Sequence, residues 1–270
     1  MEQVRPDSAV ISNARRSASL SSGPAAAAIR EILGLRFWDA ELELAAQFLV
    51  EAAVTDERLQ VYFVNAHCIN VAARDASYAQ LLKNAPFLFA DGAGMALAAR
   101  IAGVGLANNV NGTDLFPRLC AAAAAAAVPL AFLGAREGVA RRCATLMERE
   151  YPGLRVVWVE DGYLSSDAED VKLAELNTSG ARLLLVAKGV PAQERWIAAH
   201  AARLTVPVIL GVGALFDFYS GTVPRAPPLV RKLRMEWAYR LLQEPRRLFR
   251  RYVLGNPEFI ARALLWRLFH

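Results

Sequence analysis

Polar residues directly follow several short apolar segments of this sequence. Asp91 follows PFLFA and precedes Gly92 and Gly94, while Asn65 and His67 follow VYFV. Carboxylate, amide and imidazole groups at such positions can bind ligands and transfer protons. The other polar residues and glycines placed in this way are Asn111, Gly112, Thr113, Asp114, Asp161, Gly162, Tyr163, Lys188, Gly189, Gln193, Gly211, Gly213 and Asp217.

Each of these residues also has a purely structural interpretation. Asp91 could cap the helix that begins at the glycines, and Thr113 or Asp114 could cap the helix after it. His67 could be a hydrogen-bonded structural imidazole, and the glycines could serve turns alone. The residues by themselves leave these alternatives open.

Apolar runs of strand length alternate with helical stretches, which predicts the fold. A short strand at RFW precedes an amphipathic helix over residues 39–53, and the run VYFV precedes a single helix ending near residue 83. Apolar strands separated by helices predict a parallel sheet covered on both faces, a Rossmann-like α/β fold. Ligands bind such sheets at the carboxyl ends of the strands, where the polar residues gather. The six runs are VYFV (61–64), PFLFA (86–90), VPLAFLG (128–134), LRVVWVE (154–160), ARLLLVAKG (181–189) and VPVILGVG (206–213).

The composition is that of a globular protein, with 55% hydrophobic and 21% charged residues among 270. Three cysteines without a C-x-x-C pair argue against a disulfide framework and for a reducing compartment. No apolar run reaches the ~18–20 residues of a transmembrane helix, and the N-terminus lacks the apolar core of a secretory signal. We therefore expect a cytoplasmic protein.

Several enzyme classes lack their sequence signatures here. The chain has no G-x-G-x-x-G with a suitably spaced acid, no phosphate-binding P-loop, no H-E-x-x-H and no G-x-S-x-G. It also has no D-x-D pair, and only three histidines. We expect neither a metal site nor a cofactor.

The basic character of the chain is confined to its C-terminal end. Residues 225–270 hold eleven basic and three acidic residues, whereas the remainder is net acidic. Pro245 and Pro257 are predicted to divide this segment into three short helices. An apolar face flanked by arginines predicts an interfacial or docking helix, and it consists of Leu233, Trp237, Leu241 and Leu248. A tail packed on the sheet or on a second subunit is the structural alternative.

These patterns predict three regions. Residues 1–29 form a flexible leader, residues 30–221 a Rossmann-like catalytic domain, and residues 222–270 a helical appendage that binds membrane and acceptor. A non-catalytic adaptor that binds nucleic acid or membrane through the basic tail is the alternative from another class. That alternative leaves the polar residues at the sheet edge without a role, so we expect no nucleic-acid partner.

Eight sequence blocks between about residues 34 and 260 resemble the WecG/TagA/CpsF family of bacterial glycosyltransferases. The most distinctive are GVPAQE and EWAYRLLQEPRR, and the others occur in the family order with comparable spacing. They are FVNAHCIN, FADGAGMALAARIAG, NNVNGTDLFP, FLGAREGVA, DGY and GVGALFDFYSG. The polar NVNGTDLFP block is more similar to the exopolysaccharide glucosyltransferase branch.

The resemblance implies an inverting transferase that takes a sugar from a UDP donor. The acceptor would be an undecaprenyl-diphosphate-linked saccharide at the cytoplasmic face of the inner membrane, where the protein would bind the anionic surface peripherally. The donor could be UDP-glucose, UDP-N-acetylmannosamine or its uronic acid. The acceptor saccharide, the linkage and the oligomeric state, including a homo-oligomer, stay open.

The resemblance also implies roles for particular residues. Asp91 matches the family's proposed catalytic base, and Asn65 and Gln193 match two further catalytic positions. The residues implied for substrate binding are His67, Gly92, Asn111, Gly112, Thr113, Asp114, Tyr163 and Asp217, with Arg240, Arg247 and Arg250 for the lipid diphosphate. Two positions depart from the family pattern: Phe63 stands where a threonine is frequent, and Asn109 where many members have arginine.

Overall fold

A computed structural model describes residues 28–106, 108–163, 166–233 and 235–269. It begins with an antiparallel hairpin of β1 (Ala28–Ile32) and β2 (Leu35–Asp39), in which Ala28 pairs with Asp39. The predicted leader extended to residue 29, so its last two residues belong to β1 instead. Residues 1–27 lie outside the described part of the chain.

Six parallel strands form the main sheet, in the order β4-β3-β8-β7-β5-β6. This confirms the predicted Rossmann-like architecture, and each strand coincides with one of the six apolar runs. The strands are β3 (Leu59–Val64), β4 (Phe87–Ala90), β5 (Leu130–Gly134), β6 (Val156–Glu160), β7 (Leu183–Ala187) and β8 (Val208–Gly211).

Helices connect these strands and cover both faces of the sheet. The helix predicted to end near residue 83 is two helices, because Asp75 starts a new one by accepting a hydrogen bond from the Tyr78 amide (3.0 Å). The helices up to the tail are α1 (Leu42–Val54), α2 (Ala66–Ala72), α3 (Ala76–Asn84), α4 (Gly92–Ala102), α5 (Gly112–Ala125), α6 (Val139–Glu150), α7 (Ser166–Thr178), α8 (Ala192–His200) and α9 (Leu215–Tyr219).

Alternate residues of each strand enter two separate cores. On β5, Leu130 and Phe132 join a core shared with α1, α5 and α6, which we call the first core. Ala131 and Leu133 join the second core, shared with α2, α3, α4, α7 and α8. Burial on both sides explains why the strands are apolar throughout rather than alternating.

The basic tail forms α10 (Pro228–Lys232), α11 (Glu236–Gln243), α12 (Pro245–Phe249), a π-helical turn (Arg250–Leu254) and α13 (Gly255–Phe269). Pro245 begins α12, as predicted. Pro257 does not separate helices: it is the third residue of α13, which continues without a break from the π-helical turn.

The last helix is part of the folded domain rather than a separate appendage. Phe259 and Ala263 are buried in the second core, and buried Asn70 donates a hydrogen bond to the Gly255 carbonyl (2.7 Å). The predicted boundary at residue 222 therefore marks a change in composition and not the edge of a core. The predicted apolar face is also divided, because Leu248 is buried whereas Leu233 is exposed.

The burial of α13 predicts that the tail contributes to stability. Replacing Phe259 with alanine removes a ring that is 1% exposed, and we expect a loss of about 3–5 kcal/mol in the free energy of unfolding. Phe269 in the same helix is 79% exposed, so Phe269→Ala should change this quantity by less than about 0.5 kcal/mol. Urea denaturation followed by circular dichroism measures both, and equal values for the two variants would contradict the packing described.

Candidate active site

Asp91 and Asn65 meet at the carboxyl ends of the neighbouring strands β4 and β3. The Asn65 side chain caps α2 by accepting hydrogen bonds from the amides of His67 (3.1 Å) and Cys68 (3.3 Å). Its Nδ2 donates to Asp91 Oδ2 at 3.3 Å. Because the cap fixes the Asn65 oxygen toward α2, the amide nitrogen must face Asp91, and this orients the carboxylate.

Asp91 occupies the N-cap position of α4, yet its carboxylate caps nothing. The side chain accepts no hydrogen bond from the helix. The amide of Gly92, at the start of α4, instead donates to Asn109 Oδ1 (2.9 Å). Asn109, one of the two residues that depart from the family pattern, therefore provides the hydrogen-bond acceptor for this helix end. Gly92 has a φ of +85°, a conformation that other residues adopt only with strain. The capping alternative for Asp91 is therefore not what the structure shows.

The surroundings of Asp91 favour its protonated form more than water does. Burial raises the pKa of this half-buried carboxyl above its ordinary value, while the hydrogen bond from Asn65 and the charges of Arg251 and Arg240 oppose the shift. A carboxylate with a raised pKa is a stronger base, which is what proton abstraction from a hydroxyl requires. Arg251 was not among the predicted residues; its only signal was its place in the basic run of the tail.

His67 lies in the first turn of α2 on the same edge. Burial lowers the pKa of its imidazole to about 4, and the positive charges of Arg251 and Arg74 act in the same direction. The ring is therefore neutral at pH 7. It can accept or donate a hydrogen bond there but adds no charge to the site.

The turn before α5 brings polar groups beside these residues. Asn111 is its N-cap: Oδ1 accepts from the Asp114 amide (2.8 Å), and Nδ2 donates to the Asp114 carboxylate (2.7 Å). Asp114 also pairs with Arg225, and although burial opposes it, these contacts hold the pKa of Asp114 below its ordinary value. This turn does cap α5, but the capping residue is Asn111; the prediction of Thr113 or Asp114 as the cap is wrong, because both lie within the first turn of the helix.

Two further contacts join this turn to its neighbours. The Tyr219 hydroxyl donates to the Thr113 carbonyl (2.7 Å), which connects the end of α9 to the start of α5. A Cβ on Gly112 would lie 3.5 Å from the ring of Phe63, the other residue that departs from the family pattern. Phe63 lines a small apolar cavity beneath the turn together with Leu115, Val212 and Leu215.

Asp217 in α9 faces arginines from two other segments. Burial raises the pKa of Asp217, and the positive charges of Arg136, Arg247 and Arg240 act against that shift. The Arg240 guanidinium lies 5.0 Å from the ring centre of Phe218, the next residue along α9. Arg136 precedes α6 and was missed by sequence reasoning, because nothing in a single exposed arginine distinguishes it from a solubilising one.

Arg240 and Arg251 have no carboxylate within ion-pair distance among the residues that the structure describes. Arg251 is half-buried and stacks on Tyr252 at 5.3 Å, and its Nε is buried without a hydrogen-bond partner there. Arginines that stack on aromatic rings and make no ion pair are suited to an anionic ligand.

Gln193 lies inside the protein beneath the site. Its side chain is 2% exposed; Oε1 accepts from the Gly213 amide (2.8 Å), and Nε2 donates to Glu194 Oε1 (2.8 Å). Glu194 is 1% exposed, and burial raises the pKa of its carboxyl to about 7. Sequence reasoning missed Glu194 because an acid within a helix is usually a surface residue.

Two of the predicted site residues lie apart from this cluster. Tyr163 follows the edge strand β6 and is 82% exposed; β6 is five strands from β4, or roughly 24 Å at the usual strand spacing. Arg250 is exposed, and it is the charge of its neighbour Arg251 that acts on Asp91. Among the described residues, no group of three or more His, Cys, Asp or Glu side chains is arranged to hold a metal ion.

The fold and the site together define an α/β enzyme with a buried acid and unpaired arginines at the carboxyl edge of a parallel sheet. A sequence profile of the WecG/TagA/CpsF glycosyl transferase family matches residues 30–270. The chain belongs to this family, and it is a glycosyltransferase. The resemblance predicted from the sequence blocks is thereby confirmed.

Two relatives carry a specific activity in their names. The chain is 29% identical over 232 residues to an N-acetylglucosaminyldiphosphoundecaprenol N-acetyl-beta-D-mannosaminyltransferase of Bacillus spizizenii, covering 85% of this chain and 88% of the relative. It is 28% identical over 201 residues to a protein of the same name from Bacillus subtilis, covering 74% and 77% of the two chains.

The buried carboxyl of Glu194 predicts a pH-dependent stability. Its folded-state pKa lies above its ordinary value of 4.5, so its stabilising contribution is complete below pH 4.5 and is lost as the pH rises through about 7. We expect Glu194→Gln to remove a decline of roughly 3 kcal/mol in unfolding free energy between pH 5 and pH 8. Tyr62, Cys68 and Tyr78 are the titratable groups that face Glu194, and burial raises the pKa of each as well.

Chemical denaturation at several pH values measures this dependence. The exposed residue Glu51 provides the control, because Glu51→Gln should follow the wild-type curve at every pH. A wild-type protein whose stability is unchanged between pH 5 and pH 8 would show that Glu194 is not held in its neutral form.

Proposed function

We propose that the protein transfers a sugar, with inversion, from a UDP-sugar to an undecaprenyl-diphosphate-linked saccharide during synthesis of a cell-surface polysaccharide. The family membership and the names of the two relatives support the donor and acceptor classes. The observation that carries the proposal is the Asp91 carboxylate: it is oriented by Asn65, free of any capping role, and set beside Arg240 and Arg251.

Asp91 acts as the general base. Its carboxylate takes the proton of the acceptor hydroxyl while that oxygen attacks the anomeric carbon from the face opposite UDP. The new C–O bond forms as the bond from the anomeric carbon to the UDP oxygen breaks, and the electron pair leaves with the diphosphate. Asn65 keeps the basic oxygen directed at the acceptor, and neutral His67 provides a second hydrogen-bonding group at the same edge.

Arginines and backbone amides stabilise the phosphate charge. Arg136, whose positive charge acts on Asp217, supplies charge for the departing diphosphate. Arg240, Arg247 and Arg250 serve the diphosphate of the lipid acceptor, and Arg251 joins them from its half-buried position near Asp91. The turn Asn111–Asp114 and Gly92 form the wall of the cleft beside the donor sugar.

The tail brings this site to a membrane surface. Thirteen of the nineteen large apolar side chains that the described residues expose belong to residues 229–269, and exposed Arg246, Arg250 and Arg267 lie among them. No helix within the described ranges has both the length and the apolar character that crossing a bilayer requires. We propose peripheral attachment to the anionic cytoplasmic face, through apolar side chains in the lipid interface and arginines at the headgroups.

A UDP-release assay tests the proposed reaction. Purified protein in liposomes receives synthetic polyprenyl-diphosphate-N-acetylglucosamine and, separately, UDP-N-acetylmannosamine, its uronic acid and UDP-glucose. Release of UDP with one donor, dependent on the acceptor, supports the proposal and identifies the sugar. Release with no donor while the protein remains folded would overturn it.

Asp91→Asn should lower the turnover number by ~10²–10⁴, because the amide cannot take the proton. The unfolding free energy and the affinity for UDP should stay close to wild type, since asparagine keeps the shape of the side chain. Asp75→Asn is the matched control: Asp75 is a true N-cap, and asparagine caps helices equally well, so this variant should keep full activity. If Asp91→Asn retained more than about a third of the wild-type rate, another group would be the base.

Replacing three exposed residues of α13, Leu264, Leu268 and Phe269, with serine should weaken binding to anionic liposomes at least tenfold. Each apolar side chain contributes about 1.5–3 kcal/mol when fully removed from water. The matched control replaces Val54, Val157 and Val171 with serine, because these are exposed valines outside the tail. Liposome sedimentation with and without anionic lipid measures both proteins, and equal losses would place the membrane contact elsewhere.

A further inference from the structure

Glu194, Gln193 and the Gly213 amide are joined by two buried hydrogen bonds near the carboxyl ends of the strands. We call this chain of hydrogen bonds the relay. The Gly213 amide needs an acceptor, which turns Gln193 Oε1 toward it (2.8 Å) and leaves Nε2 facing the opposite way. Glu194 Oε1 meets that nitrogen at 2.8 Å. Without this acceptor the Gln193 amide would have a buried donor unsatisfied, at a cost of about 1–3 kcal/mol.

The space around the relay leaves the Gln193 amide little freedom. A Cβ on Gly211 would lie 3.1 Å from Gln193 Nε2, so the amide occupies the room that a side chain on β8 would take. Glu194 Oε2 has no hydrogen-bond partner in the described part of the protein. A buried acid with one oxygen unsatisfied is costly to retain, and packing alone would be served better by an apolar residue.

The relay ends at Gly213, which lies just before α9. Gly213 adopts a φ of +62° two residues after β8, and the turn that it makes leads into α9. Asp217 and Phe218 lie in that helix: the first faces Arg136, Arg240 and Arg247, and the second supports the Arg240 guanidinium. The Gly213 amide is therefore one of the groups that fix the turn into α9.

We propose that Glu194 is a positioning residue for the transfer reaction, holding Gln193 so that the Gly213 turn and α9 keep Phe218 against the Arg240 guanidinium, which serves the acceptor diphosphate. This inference rests on the proposed function, and it also assigns Gln193 a positioning role. Gln193 is 2% exposed and its oxygen accepts from Gly213, so in this proposal it acts through the Gly213 amide.

Three variants separate positioning from simple packing. Glu194→Met fills the same space but provides no oxygen acceptor, whereas Glu194→Gln keeps an acceptor oxygen for Gln193 Nε2. Glu57→Met is the matched control, because Glu57 is also a buried glutamate, 8% exposed, but precedes β3 at the opposite edge of the sheet. The readouts are kcat/KM for UDP release, the affinity for UDP, and hydrogen exchange at the Gly213 amide.

We expect Glu194→Met to lower kcat/KM about 10²-fold, as misplaced catalytic groups do, and to speed exchange of the Gly213 amide at least tenfold. Glu194→Gln should restore kcat/KM to within about threefold of wild type. Glu57→Met should leave both readouts unchanged even where its melting temperature falls.

Two results would overturn the inference: full activity of folded Glu194→Met, or Gly213 exchange that is the same in Glu194→Met and Glu57→Met. If Glu194→Met does not fold, failure of Glu194→Gln to retain activity overturns it in the same way. Hydrogen exchange does not depend on catalysis. A wild-type protein that releases no UDP therefore counts against the proposed function, and the exchange rates still test the relay.

Discussion

The packing of α13 against the second core holds the basic tail over the catalytic edge. Arg240 and Arg251 both act on Asp91, and like charges gathered at one place repel each other unless something fixes them there. Burial of Phe259 and Ala263, with the hydrogen bond from Asn70 to Gly255, anchors one end of the segment. The pair of Arg225 with Asp114 anchors the other. The arginines between these anchors need no protein carboxylate of their own, so their charge remains for a ligand.

The three acids of the cleft have different environments and hence different roles. Asp114 is paired, its pKa is lowered, and it joins α5 to the tail. Asp91 and Asp217 are half-buried with raised pKa values, because the arginines near them offset burial only in part. An acid in an ion pair, such as Asp114, stabilises the packing of the tail on α5. A carboxyl with a raised pKa and no ion-pair partner is better suited to take a proton.

The same segment carries the arginines and most of the exposed apolar side chains. Attachment to a lipid surface through those side chains would bring the cleft close to the headgroups, where a lipid-linked diphosphate lies. Because α13 is packed into the second core, this attachment would act on the whole domain rather than on a flexible extension. The proposed membrane contact and the arginines near Asp91 would therefore belong to one segment of the fold.

The sequence by itself determined the sheet, its helices and the residues at the strand ends. Buried parallel strands must be apolar on both faces, and their carboxyl ends must meet at one edge, so Asp91, Asn65 and Asp217 could be assigned to the cleft. Tertiary structure alone decided that Asn109 satisfies Gly92, that Arg251 rather than Arg250 faces Asp91, and that Gln193 is buried on Glu194. It also decided that α13 belongs to the core. Such facts depend on which groups meet in three dimensions: Asn109 and Gly92 are 17 residues apart in the chain, whereas Asn70 and Gly255 are 185 apart. Local periodicity carries no information about these contacts.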